Sequence, residues 1–96
     1  MLVLEGDSTS GALQQRIIRM EAVLSHAEKY IIAAKEQEAR KDLATARLLK
    51  RKAYDNARLT SRLIGVLFIE YNLDMSTQIE RVRKILTEIK GKKINA

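Results

Sequence analysis

The chain contains no cysteine, no proline and no tryptophan, and only four glycines and one histidine among its 96 residues. Without cysteine there are no disulfides and no thiolate metal sites. A lone histidine, His26, cannot assemble a metal site without other strong ligands. Chains this short bury only a modest fraction of their surface, and small folds usually add a disulfide, a metal or a partner chain. With the first two excluded, association remains, and a homo-oligomer or a subunit of a protein complex is expected. No glycine or proline occurs between Gly11 and Gly65. A breaker-free stretch rich in Ala, Leu, Glu, Lys, Arg and Gln reads as helix.

Long apolar runs are also missing. The longest, Leu63 to Ile69, has 7 residues, far short of the roughly 18 needed to span a bilayer. The segment Met1 to Asp7 is acidic and has no basic n-region, unlike a secretory signal, so a soluble, intracellular protein is expected. There is no glycine-rich phosphate loop, no metal-ligand cluster and no nucleophile–base pair. Glu36 and Glu38 point to different sides of a helix, and Asp42 and Asp55 are not a spaced catalytic pair. The expectation is a non-enzymatic protein with no catalytic residues, cofactor, metal or small-molecule substrate.

Hydrophobic residues make up 46% of the chain and charged residues 31%, a balance compatible with folding. Residues 1–11 read as a flexible arm, with Leu2-Val3-Leu4 the alternative of a short strand added to a partner's sheet edge. Ser8, Thr9 and Ser10 offer capping oxygens for a first helix from about Ala12 to the region of Lys35. Its apolar positions, Leu13, Ile17, Met20, Leu24, Ala27, Ile31 and Ala34, are spaced 4, 3, 4, 3, 4, 3. That is a heptad seam for a partner helix; Ile18, Val23 and Ile32 widen it, as in a bundle. Continuing the spacing lands on Glu38, Lys41 and Thr45, so the seam ends. A turn near 36–42 with Asp42 capping a second helix is favoured, because folding back covers the seam within the chain. One continuous helix with a changed face is the alternative.

The second helix is expected over Leu43–Tyr71, with a stripe of Ala46, Leu49, Ala53, Ala57, Thr60, Ile64, Leu67 and Tyr71. Its end is apolar nearly all round, so Leu63, Val66, Leu67, Phe68 and Ile69 are the candidate interface for a partner helix. Gly65 costs about 1 kcal/mol relative to alanine in a helix, and close backbone packing would explain its presence. Asn72 suits a left-handed helix end, and Asp74 or Ser76 can cap a third helix, from about Met75 to Lys90, stopped by Gly91. That helix carries Ile79, Val82, Ile85, Leu86 and Ile89. The fold class is therefore all-α: an antiparallel hairpin of two long amphipathic helices plus a shorter third, completed by oligomerisation or a partner. A single helical domain spans 12–90, followed by a basic tail at 91–96.

The net charge of +6 is unevenly spread: −2 over residues 1–11, zero over 12–39, +6 over 40–62 and +2 over 63–96. Arg47, Arg51, Tyr54, Arg58 and Arg62 are spaced 4, 3, 4, 4 on one helical face, with Lys50 beside them and no acid among them. Arginine forks bind phosphate bidentately and an aromatic ring can stack. This is the candidate phosphate-binding face, for nucleic acid or an anionic membrane surface. The ordinary alternative is a solvated face.

The run Arg40-Lys41-Asp42 followed by Leu48-Leu49-Lys50-Arg51-Lys52-Ala53-Tyr54 resembles the hairpin of ESCRT-III membrane-remodelling proteins. The resemblance as a whole extends over about a third of the chain, and the run that carries it is residues 40–54. The resemblance implies two long antiparallel helices and a membrane-facing role for Arg47, Arg51, Arg58 and Arg62. The sequence departs from that pattern in lacking the family's turn glycine and in a turn-to-tyrosine spacing one residue longer.

Overall fold

The computed structural model describes the backbone of residues 2–90 and the side chains of residues 11–90. The fold is all-α: α1 (Leu2–Ala39), α2 (Leu43–Tyr71) and α3 (Ser76–Lys90). The helix α1 starts at Leu2 rather than near Ala12, so Ser8, Thr9 and Ser10 fall within it instead of capping it. Extending an existing helix adds a hydrogen bond for each residue fixed, and an interior glycine opposes this by only about 1 kcal/mol. Gly6 and Gly11 are therefore weak stops. The tail at 91–96 and the Gly91 stop lie outside the described residues.

A three-residue turn follows α1. The Asp42 amide donates to the Gln37 carbonyl at 2.9 Å and the Lys41 amide to that of Glu38 at 2.9 Å. This paired closure ends a helix when the residue between adopts the left-handed conformation, and Lys41 does so at φ 67°. Asp42 then caps α2, its carboxylate accepting from the Thr45 amide at 3.2 Å. The Thr45 hydroxyl, and after it the Thr45 amide, hold the Asp42 carboxyl below the ordinary aspartate range. A side chain with a Cβ is disfavoured at a left-handed position. Lys41→Gly should therefore raise stability by about 1 kcal/mol, read as a higher thermal midpoint; an unchanged or lower midpoint would contradict this account of the turn.

At the other end of α2, Asn72 takes the left-handed position (φ 55°), its amide donating to the Phe68 carbonyl. Asp74 then accepts from the Ser76 amide at 3.0 Å and so opens α3.

Packing follows the stripes in the sequence. Met20, Leu24, Ala27, Ile31 and Ala34 of α1 are buried, as are Ala46, Ala53, Ala57, Thr60, Ile64 and Leu67 of α2. Lys50 meets Glu38 next to the turn at 2.6 Å, and Arg16 meets Glu70 at the far end at 3.5 Å, so α2 runs back along α1. Towards the turn the interface is mostly alanine, which lets the two backbones approach closely. Thr60 is fully buried, and its hydroxyl donates to the Asn56 carbonyl at 2.8 Å, which avoids the cost of an unpaired buried group. Met75, Val82 and Ile85 bring α3 onto the same core. Ile79 departs from its expected seam position and is 48% exposed. The register of α3 against the other helices selects Val82 and Ile85 for burial and leaves Leu86 and Ile89 partly covered.

Candidate binding surfaces

Arg81 fixes α3 on α1. Its guanidinium donates to both carboxylate oxygens of Glu28, at 2.8 and 2.9 Å, and to Glu21 at 2.9 Å. Gln78 adds a bond to Glu21 at 3.3 Å, and Lys35 pairs with Glu88 at 2.9 Å. Arg81's hydrogen bond draws the Glu21 carboxyl below the ordinary glutamate range, against an opposing effect of burial. The Glu28 hydrogen bond correspondingly holds the Arg81 proton more tightly. Glu21's share in stability is present above its unfolded pKa and lost as pH falls through the lowered one. Sequence reading missed this clamp, although the seven-residue spacing of Glu21 and Glu28 places both on one face.

Arg47, Arg51, Tyr54, Arg58 and Arg62 are all exposed on the side of α2 away from the core. Arg58 lies over the Tyr54 ring, 5.8 Å from its centroid. No ion pair among the described residues engages any of the four arginines. Two expectations need correction. Lys50 is neutralised by Glu38 across the turn and does not belong with the free cations. The face is also not free of acid, because Asp55 borders a shallow depression shared with Arg58, Leu59 and Arg62.

The five residues expected at a partner interface divide. Leu67 is 1% exposed and belongs to the chain's own core. Leu63 and Val66 are half-buried. Phe68 and Ile69 stand in solvent at 57% and 80% exposure. Sequence periodicity missed other exposed apolar side chains: Ile18 and Ile32 on α1, Leu43 and Leu48 on α2, and Ile79 on α3. The docking of the helices decides which apolar side chains stay outside.

Two grooves flank α3. The one against α1 carries Glu28 and Glu88 together with Arg81 and Lys84. The one against α2 is apolar, with Ile64, Phe68, Ile79 and Val82 around Gly65. A separate depression that shares Ile79 and Val82 with it is lined by α3 alone, with Arg83, Leu86, Thr87 and Lys90. Gly65 needs no packing explanation from within the chain, since a Cβ built there meets no atom within 4 Å.

His26 is exposed on α1. No group of three or more His, Asp or Glu side chains among the described residues could hold a metal ion. No helix among them is long and apolar enough to cross a membrane. No family model, curated protein or solved structure matches the chain.

Proposed function

We propose that this chain is a non-catalytic helical interaction protein, an assembly module that binds a partner protein or a second copy of itself. The observation that carries this reading is the exposure of Phe68 and Ile69, consecutive on α2, with Phe68 sharing a groove with the exposed Ile79. Burying one such side chain is worth about 1.5–3 kcal/mol, and the folded chain forgoes most of that at Ile69 and about half at Phe68 and Ile79. The α1 seam is not the docking element, because α2 and α3 already cover it. Exposed apolar side chains occur on all three helices, Ile18 and Ile32 on α1 among them, and Phe68 and Ile79 face each other across the groove between α2 and α3.

Sedimentation velocity from low to high micromolar concentration tests self-association. The wild-type coefficient should rise with concentration, and Phe68→Gln with Ile69→Lys should abolish the rise without loss of helicity. A wild type that stays monomeric throughout would remove the self-association form and leave the partner form.

A second reading is supported by the arginine ridge. Of the acids between residues 11 and 90, Glu21, Glu28, Glu38, Glu70, Glu80 and Glu88 sit in ion pairs. Asp42 and Asp74 are occupied at helix starts. The positive charge left over is concentrated on the outer face of α2, where it fits a phosphate-bearing polymer such as nucleic acid. The resemblance noted above would give the same face to an anionic membrane instead.

A further inference from the structure

We infer that the nucleic acid suited to the arginine ridge of α2 is double-stranded DNA, gripped by its backbone without regard to base sequence. This rests on the second reading above and names the class of ligand for that surface.

Helix geometry makes the ridge straight. Arg51, Arg58 and Arg62 follow Arg47 by 4, 11 and 15 residues. At 3.6 residues per turn all four fall within about 60° of one another around the α2 axis, at about 0, 6, 16 and 22 Å along it. Buried Ala53, Ala57 and Ile64 hold the other side of the helix in the core, so the arginine sector projects from the bundle. Arg47 and Arg51, and again Arg58 and Arg62, are like charges four residues apart, an arrangement that weakens a helix. Asp55 stands at one edge of the sector and forms no ion pair among the described residues. An incoming polyanion turns that repulsion into attraction.

Shape selects a duplex. Proteins that hold single strands offer a basic groove with several aromatic platforms. Here the surface is convex, and between Arg47 and Arg62 the only aromatic residue is Tyr54. The Arg58 guanidinium already covers one face of that ring, 5.8 Å from its centroid. A projecting helix face fits the opposite way, into a groove of the ligand. The major groove of B-form DNA, about 12 Å wide, admits an α-helix, whereas that of duplex RNA is deep and too narrow. B-form DNA presents one charge about every 1.7 Å along its axis, so the ridge passes about 13 phosphates of the two strands.

The contacts select the backbone. None of the four arginines has a hydrogen-bond or ion-pair partner among the described residues. Reading a base edge takes an oriented arginine fork, or an Asn or Gln on the helix face. Residues 47–62 contain no Gln, and their one Asn, Asn56, is turned back to the Lys52 carbonyl at 2.9 Å. Long, unfixed arginines meet phosphates, which are the same in every sequence. A lipid surface fits less well, because an interfacial helix buries an apolar face alongside its charges. Between Arg47 and Arg62 no aliphatic side chain falls within the sector, and the exposed Leu48 stands about 100° round from Arg47.

The test uses the full chain and a labelled DNA duplex of about 20 base pairs, two turns of B-form helix. At low salt, fluorescence anisotropy should show the duplex bound at least about tenfold more tightly than either of its separated strands or the duplex RNA of the same sequence. Two duplexes of unrelated sequence should bind within about threefold of each other, since no base pair is read. Arg62→Gln should lower the log–log salt slope by about 0.9, one phosphate contact, with helicity unchanged by circular dichroism. Arg19→Gln, at an exposed position on α1, should leave the slope as it is. Single strands or duplex RNA bound as tightly as duplex DNA, a preference of about tenfold or more between duplex sequences, or a slope unmoved by Arg62→Gln would each overturn the inference. Binding to vesicles of phosphatidylserine and phosphatidylcholine, or to single strands, in place of duplex DNA would overturn it too, and would keep the ridge as a phosphate-binding surface. No binding to any of these at low salt would remove both the inference and the reading beneath it.

Discussion

Replacing Leu24 or Leu67 by alanine should destabilise the fold by about 2–5 kcal/mol, the range for emptying a buried leucine site. Both are closed off from solvent, at 0% and 1% exposure. Leu24 projects from α1, and Leu67 from α2, into the cluster that also holds Met75, Val82 and Ile85. Each deletion therefore weakens the attachment of all three helices. In a domain of this size about 1 kcal/mol moves the thermal midpoint by roughly 4–8 °C, so either variant should melt about 10 °C or more below the wild type. Total stabilities run at about 5–15 kcal/mol, and a short chain without disulfides has little to spare. Ile69→Ala is the control: at 80% exposure it has almost no packing to lose, and the isolated chain should melt as the wild type does. Circular dichroism melts of the three variants decide the matter. Wild-type-like melting of Leu67→Ala would return Leu67 to the docking surface and mean that α2 is rotated from the orientation described here.

The sequence made some features legible and left others out, for identifiable reasons. The limits of α2, Leu43 and Tyr71, could be read because Asp42 and Asn72 are short-range signals: one carboxylate reaching an amide three residues on, one residue suited to a left-handed backbone. The α1 stripe was legible because a heptad spacing maps directly onto a face. The start of α1 was not, since glycine and serine only weaken a helix and a rule that treats them as stops places the end too late. Lys50 and Arg81 were missed for a different reason. Their partners, Glu38 and the Glu21–Glu28 pair, are found across a turn or on another helix, and no local spacing encodes that. Ile79 shows the same limit for apolar residues: periodicity says α3 has a face, while the exposure of Ile79 beside buried Val82 depends on how α3 rotates as it docks. The arginine ridge could be read as a set, but its borders at Lys50 and Asp55 required the folded chain.

Reversing Arg51 and Arg58 to glutamate should remove any affinity for nucleic acid while leaving helicity intact. Both side chains are exposed and unpaired among the described residues, so the core loses nothing. The local costs are the approach to Asp55 of the carboxylates introduced at positions 51 and 58, four and three residues away, worth a few tenths of a kcal/mol each, and the loss of the Arg58 contact over the Tyr54 ring. At 1.5 Å per residue the ridge from Arg47 to Arg62 is about 22 Å long, enough to follow several phosphates of a duplex. Each phosphate neutralised releases condensed counterions, giving a log–log salt slope of about −0.9 per contact. Four engaged arginines would therefore give about −3 to −4 for the wild type. Losing two charged contacts, at about 1.5 kcal/mol each, amounts to roughly a hundredfold weaker binding, before repulsion from the new carboxylates is added. Lys50→Gln should alter the slope little, because Glu38 already holds that ammonium at 2.6 Å. Titrating duplex DNA and anionic vesicles in parallel separates the two phosphate-bearing partners, since a membrane would also engage the exposed Leu43 and Leu48 on α2 and retain binding at salt concentrations that release DNA. A wild type that binds neither at low salt would make the ridge a solvated surface and would leave the exposed apolar side chains as the surface for a partner.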